Sequence, residues 1–225
     1  MGNLTVWSLL GHALGLLIGF TLHEFAHAWT ANRLGDDTPR FQRRITLDPR
    51  SHIEPMGLIM GLIIGFGWAK PVPVNPRAFY PNEKRGLMIV AAAGPLMNLV
   101  IALILSIPIR LILEFTGLFD IVSHSVSWFF FRVWLVAILF NLVLFFFNLV
   151  PLFPLDGWRV MLGLLPRERA VRLQGYEQQA MLILILILSI GIINERFNLI
   201  WAILGPPLRY IFEKFTGVPY WVLWW

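Results

Sequence analysis

The chain has 225 residues, of which 57% are apolar and 14% are charged, and its formal net charge is +5. Soluble chains average about 45–50% apolar and about 25% charged residues, so this chain has too little polar surface for a water-soluble domain. It contains no cysteine, which excludes disulfides, thiolate metal sites and a cysteine nucleophile. We therefore expect a polytopic membrane protein in which residues 1–225 form a single domain.

Apolar runs long enough to cross a bilayer predict the first half of the fold. A transmembrane helix needs about 20 mostly apolar residues, and residues 4–31 form the first candidate. The next apolar run, residues 56–68, is too short to span and lies between Pro55 and the proline-rich residues 70–73. It predicts a re-entrant or β-hairpin segment between the first two spans, with a short packed helix as the alternative.

The rest of the chain predicts further helices. Spans are predicted over residues 86–113, 126–150 and 180–193. Residues 197–225 form either another span, broken at Gly205, or an interfacial segment rich in tryptophan. The expected fold is an all-α membrane protein with about four to six transmembrane helices, a core over residues 4–157 and C-terminal helices over residues 179–225.

The distribution of basic residues predicts the orientation. Nine of the 18 Lys and Arg residues lie between the first and second spans, and none lies in the loop over residues 114–125. The loop after the third span carries four more, Arg159, Arg167, Arg169 and Arg172. Basic loops stay on the cytoplasmic side, so the N-terminus is expected outside the cell membrane. Because these residues flank spans and lack interleaved stacking aromatics, we expect no nucleic-acid partner.

The first span carries the sequence HEFAH, a match to H-E-x-x-H. His23 and His27 are four residues apart and therefore lie on one face of a helix, where two imidazoles can hold one Zn²⁺. Glu24 between them can act as a base on the attacking water. The alternative is a pair of core histidines, but a charged group in mid-bilayer costs about 2.5–3.5 kcal/mol or more, which favours a metal site.

A third zinc ligand is needed, and Asp156 is the best candidate. Catalytic zinc usually has three protein ligands and one open position, and without cysteine the third must be His, Asp or Glu. Asp156 follows the cytoplasmic end of the third span, while His27 lies about one turn before the cytoplasmic end of the first. The topology therefore predicts that these residues meet near the cytoplasmic face.

Two further polar residues lie inside apolar spans. Asn98 and Asn148 can donate hydrogen bonds to an unwound substrate or to a developing oxyanion. The alternative role is helix–helix hydrogen bonding, worth about 0.6 kcal/mol per bond in membranes. Both roles remain open at this point.

These motifs together resemble the site-2 protease family of intramembrane zinc metalloproteases. The resemblance is carried by HEFAH, by GPLMN over residues 94–98 and by NLVPLFPLDG over residues 148–157. It implies one Zn²⁺ per chain and hydrolysis of a peptide bond in or near a transmembrane segment of another protein. It also supports substrate binding by Asn98 and Asn148. The chain resembles the compact prokaryotic branch, without a PDZ or cystathionine-synthase-type domain.

Two other classes of function are compatible with parts of the pattern. A metal-ion carrier would need polar groups continuing across the bilayer, and spans two to four contain almost no carboxylates. A catalytically silent membrane scaffold would not need an intact Glu24. Homo-oligomerisation is left open.

Three isolated ionisable residues are given structural roles. His12 lies about 16 Å along the helix axis from His23, too far to bind the same ion, and is assigned to packing. His52, beside Glu54, is assigned a structural role in preference to contact with a zinc ligand. Arg132 is expected to extend to the membrane interface.

Overall fold

The computed structural model describes residues 6–63, 67–123, 125–194 and 198–224. Within these residues, regular structure is helical, and the extended backbone forms one isolated antiparallel bridge, between Ile53 and Ala69. The all-α prediction is therefore confirmed. The helices are α1 (Val6–Arg33), α2 (Thr38–Phe41), α3 (Pro55–Ile63), α4 (Glu83–Ser123), α5 (Ser125–Asn148), α6 (Asp156–Leu164), α7 (Arg167–Gln174), α8 (Glu177–Ile193) and α9 (Leu199–Thr216). Short 3-10 turns lie at Pro49–Ser51, Pro76–Phe79 and Tyr220–Trp224.

Three of the described helices are long and apolar enough to cross a membrane: α1, α4 over Glu83–Thr116, and α5 over Val126–Asn148. Helices α7 and α8 meet at an angle of 65° and would count as a fourth span if taken together. Three or four spans agree with a multi-pass membrane protein, at the lower end of the expected range.

Two helices are longer than the sequence suggested. Helix α4 continues through most of the loop expected over residues 114–125, a stretch that contains no proline to stop it. Helix α9 continues through Gly205 and the two prolines after it, where a break was expected. Its side chains Leu208 and Phe212 are buried in a cluster with α4 and α5, so tertiary packing outweighs the local cost of the prolines.

A stripe of glycines brings α1 against α5. Gly11, Gly15 and Gly19 recur every four residues and so lie on one face of α1. A Cβ on Gly11 would lie 2.6 Å from the Cβ of Val136, and one on Gly15 would lie 2.8 Å from the Cβ of Phe140. Small residues of this kind let membrane helices approach closely. The stripe therefore sets the distance between the first and third spans.

The segment over residues 56–68 begins as a helix. Helix α3 covers residues 55–63, which corresponds to the packed-helix alternative, and residues 64–66 lie outside the described residues. The chain then returns beside α3: a Cβ on Gly67 would lie 2.2 Å from the carbonyl oxygen of Gly57. The hairpin form of this segment stays a prediction.

Arg132 is buried between aromatic side chains. Its side chain is buried, and its guanidinium carbon lies 3.6 Å from the ring centroid of Trp7 and 5.3 Å from that of Trp128. Cation–π contacts hold a desolvated guanidinium in place of water. The expected position at the membrane interface stays a prediction. The division into a core and C-terminal helices stays a prediction, and α9 packs on α4 and α5.

Candidate metal centre

The three residues predicted as zinc ligands lie together near the C-terminal end of α1. The Nε2 atoms of His23 and His27 are 3.0 Å apart. Oδ2 of Asp156 lies 3.1 Å from Nε2 of His23 and 3.3 Å from Nε2 of His27. Within the described part of the chain, this is the one cluster of His and acidic side chains with the spacing of a metal site.

The hydrogen bond at Nδ1 of each imidazole fixes the tautomer, that is, which ring nitrogen carries the proton. Nδ1 of His27 lies 2.7 Å from the carbonyl oxygen of Val90, which can only accept, so this nitrogen donates. Nδ1 of His23 lies 2.6 Å from Oδ1 of Asn98 and donates in the same way. A neutral imidazole carries one proton, so both Nε2 atoms are left with a lone pair.

The donor set fits Zn²⁺. Two imidazole lone pairs and a carboxylate oxygen face one another in a buried site, an arrangement that is unfavourable unless a cation lies between them. Two His and one carboxylate are also a ligand set found in catalytic zinc sites, which keep a fourth position open. His23, His27 and Asp156 could therefore hold the metal.

A chain of amides orients His23 across three helices. Nδ2 of Asn98 donates to Oδ1 of Asn141 (3.1 Å) and to the carbonyl oxygen of Gly19 (3.3 Å), which leaves Oδ1 of Asn98 to accept from His23. Nδ2 of Asn141 donates in turn to the carbonyl oxygen of Ala137 (2.9 Å). Such outer partners fix the ring orientation of a metal-binding histidine.

Two glycines make room for the cluster. A Cβ on Gly94 would lie 2.4 Å from Nε2 of His27 and 2.6 Å from Nε2 of His23, so only glycine fits on this face of α4. A Cβ on Gly157 would lie 2.3 Å from the carbonyl oxygen of Leu149. Gly157 therefore allows the first turn of α6, which carries Asp156, to lie against the end of α5.

The Glu24 carboxylate has its own hydrogen-bond partner, which differs from the partners of the two histidines. Its side chain is buried, and Oε2 accepts a hydrogen bond from the backbone N–H of Val72 at 3.1 Å. Val72 belongs to the proline segment, residues 70–73 (Lys-Pro-Val-Pro), which follows the bridge at Ala69. A carboxylate held at one oxygen keeps the other available for a water molecule.

The remaining candidates lie outside the cluster. Asn148 is partly exposed at the end of α5, and its Nδ2 donates to the carbonyl oxygen of Leu144. His52 is fully buried and its Nε2 bonds to the carbonyl oxygen of Thr46, in agreement with a structural role. His12 packs edge-on against Phe140, with ring centroids 5.2 Å apart.

Sequence reasoning missed several residues that shape the site. Asn141 could have been identified from the sequence, because a polar residue inside an apolar span usually has a function. Gly94 was noticed only as part of the GPLMN motif, and its contact with both imidazoles needed the helix packing. Val72 lies in the proline-rich segment and Arg44 among the basic residues after the first span, but nothing in either pattern pointed to Glu24.

A helix that presents H-E-x-x-H to a carboxylate inside a bundle of apolar helices defines the class of membrane-embedded metalloproteases. The family model of peptidase family M50 matches residues 11–190, and the chain belongs to this family. The resemblance to site-2 proteases is thereby confirmed. The protein is a zinc metalloprotease with several membrane helices, and its cofactor is Zn²⁺.

Curated relatives are also described as zinc metalloproteases. The chain is 38% identical over 204 residues to "Putative zinc metalloprotease YwhC" of Bacillus subtilis, and the match covers 90% of both chains. It is 33% identical over 187 residues to "Putative zinc metalloprotease Rip2" of Mycobacterium tuberculosis, covering 81% of this chain and 68% of the relative. A Rip2 of Mycolicibacterium smegmatis is 30% identical over 211 residues, covering 91% of this chain and 73% of the relative. No solved structure matches significantly.

Proposed function

We propose that this protein is an intramembrane protease that hydrolyses a peptide bond in or near a transmembrane segment of another membrane protein. His23, His27 and Asp156 are the proposed ligands of one Zn²⁺ per chain. The observation that carries the proposal is the meeting of three lone-pair donors at the inner end of α1, with Glu24 beside the first of them.

Glu24 is the proposed general base. When bound, Zn²⁺ supplies a Lewis acid that lowers the pKa of water and polarises the scissile carbonyl. Glu24 accepts the proton of the attacking water and then passes it to the leaving amine, so the carboxylate ends the reaction in its starting form. The hydrogen bond from Val72 supports this role, because it fixes one carboxylate oxygen without neutralising the group.

Substrate binding requires local unwinding of the substrate helix. Exposed backbone groups in lipid cost several kcal/mol each, so the enzyme has to supply replacement hydrogen bonds. We propose Asn148 as a donor of such bonds, and Asn98 as a second donor once its N–H groups leave Gly19 and Asn141, to which they donate without substrate. The partly exposed position of Asn148 at the end of α5 supports this role. The contacts of Asn98 with His23 and Asn141 support a second role, orienting the first imidazole.

We further propose that the N-terminus lies outside the cell membrane and the metal centre near the cytoplasmic face. The basic residues between α1 and α4 and around α7 support this orientation. His27 lies six residues before the end of α1 at Arg33, so the centre lies within about two turns of that end.

The decisive experiment combines metal analysis with cleavage of a tagged single-span membrane protein in detergent. Wild-type enzyme should hold one zinc per chain and cleave the substrate, and a chelator should stop cleavage. Glu24→Gln should keep the zinc and lose cleavage. Glu168→Gln, the same change at an exposed position on α7, should behave like wild type. Cleavage by Glu24→Gln at the parental rate would refute the role of the base.

A further inference from the structure

Arg44 is a buried cation in the loop region between α1 and α4. Its side chain is 5% exposed, although the loop is otherwise rich in exposed basic residues. The guanidinium donates to the carbonyl oxygens of Ser51, Lys70 (2.7 Å) and Pro71. The planar guanidinium reaches these acceptors from two nitrogens, Nη1 and Nη2, whereas a lysine offers its three donors from a single nitrogen.

The proline segment meets the rest of the protein through few bonds. Pro71 and Pro73 have no N–H, so this stretch has two backbone donors. Lys70 N–H donates to the carbonyl oxygen of His52 (2.7 Å), and Val72 N–H donates to Oε2 of Glu24. The position of Val72 therefore depends on the hydrogen bonds that fix Lys70 and Pro71, the two residues before it.

Arg44 and Glu24 also interact through their charges. Burial lowers the pKa of the Arg44 guanidinium, and the negative charge of Glu24 opposes this shift. Among the described residues, the hydrogen bonds of Arg44 go to the backbone of Ser51, Lys70 and Pro71, the last of which precedes the residue that bonds Glu24.

We propose that Arg44 is a positioning residue for Glu24: by binding the carbonyls of Lys70 and Pro71, it keeps the N–H of Val72 on the carboxylate. The inference rests on the proposed role of Glu24 as the base. Loss of the guanidinium would free the proline segment and remove the donor that holds the carbonyls of Ser51, Lys70 and Pro71. Glu24 would then adopt more than one orientation, while the metal ligands, held by Asn98 and Val90, would be unaffected.

The test uses the full-length protein and three variants. Arg44→Met keeps an unbranched apolar stem but removes the guanidinium, and Arg44→Lys keeps the charge. Arg40→Met makes the same change at an exposed position in the same loop region. Zinc content, kcat and KM are measured on the tagged substrate, and hydrogen exchange is measured on a peptide that contains Val72.

Arg44→Met should retain its zinc and its KM but lose about 100-fold in kcat, the scale expected when a reacting group is misplaced by about 1 Å. Hydrogen exchange of the Val72 N–H should become faster in Arg44→Met. Arg44→Lys should restore part of kcat, and Arg40→Met should match wild type.

Three results would overturn the inference. One is a parental kcat in Arg44→Met, and another is unchanged exchange at Val72 in that variant. The third is loss of zinc in both Arg44→Met and Arg44→Lys, which would make Arg44 a residue of the general fold. Glu24→Gln is assayed alongside: if it stays active, the role of the base fails, whereas an inactive Glu24→Gln with a fully active Arg44→Met defeats the Arg44 inference alone.

Discussion

Gly94→Ala should damage the metal centre more than any conservative change outside the ligands themselves. The new Cβ would lie 2.4 Å from Nε2 of His27 and 2.6 Å from Nε2 of His23. Nonbonded heavy atoms settle at about 3.5–4.0 Å, so the rings would have to move by roughly 1 Å. Metal–ligand distances tolerate only about 0.2 Å, so both imidazoles would leave the productive geometry together.

The expected loss of zinc affinity follows from the number of ligands that the new Cβ displaces. Disturbing one outer partner of a metal ligand typically costs 10–100-fold in affinity, so displacing two ligands should cost about 100-fold or more, or at least about 2.8 kcal/mol. Helix α4 cannot simply retreat from α1, because Val90 on the same helix accepts the hydrogen bond of His27.

Zinc affinity is measured by competition with a chelator in detergent. Two controls separate the site from the fold. Gly11→Ala introduces an equal clash, 2.6 Å from the Cβ of Val136, in the contact between α1 and α5. It should lower thermal stability without changing zinc affinity. Gly205→Ala meets no atom within 4 Å and should change neither. Parental zinc affinity in Gly94→Ala would refute the geometric argument.

Three other variants test the remaining parts of the site. Asn98→Leu removes the acceptor for His23 and should lower zinc affinity about 10–100-fold, measured by the same competition; an unchanged affinity would leave Asn98 without a role in orienting the ring. Asp156→Asn removes the anionic ligand and should bring zinc content by metal analysis well below one per chain, so full occupancy would exclude Asp156 as a ligand. Asn148→Ala should keep zinc and thermal stability while lowering kcat/KM on the tagged substrate, and parental turnover would show that its amide serves only the helix.

The metal centre was largely predictable because each of its parts is local in sequence. His23 and His27 are one helical turn apart, and their spacing needs no tertiary information. Asp156 required one further step, the parallel arrangement of α1 and α5, whose C-terminal ends lie on the same side because one span separates them in the chain. The structure brings the three side chains together as that reasoning expected.

The parts that escaped prediction depend on contacts between helices. Arg132 is an example: its position near the end of a span suggested the interface, but gave no indication of its cation–π contacts with Trp7 of α1 and Trp128 of α5. No property of a single apolar run contains that information. The same holds for the unbroken helix α9, whose prolines argued for a break and whose packing on α4 and α5 decided otherwise.

The amide chain from His23 to Asn141 links the metal centre to the packing of the membrane helices. Asn98 on α4 reaches His23 and Gly19 on α1 and Asn141 on α5, so one side chain joins all three long spans. Gly19 belongs to the stripe that lets α1 approach α5, and a Cβ there would lie 3.1 Å from Oδ1 of Asn141. Because every polar atom in a membrane interior needs a partner, the bonds that position the first imidazole also hold the three helices together. The geometry of the site and the stability of the bundle therefore depend on the same side chain.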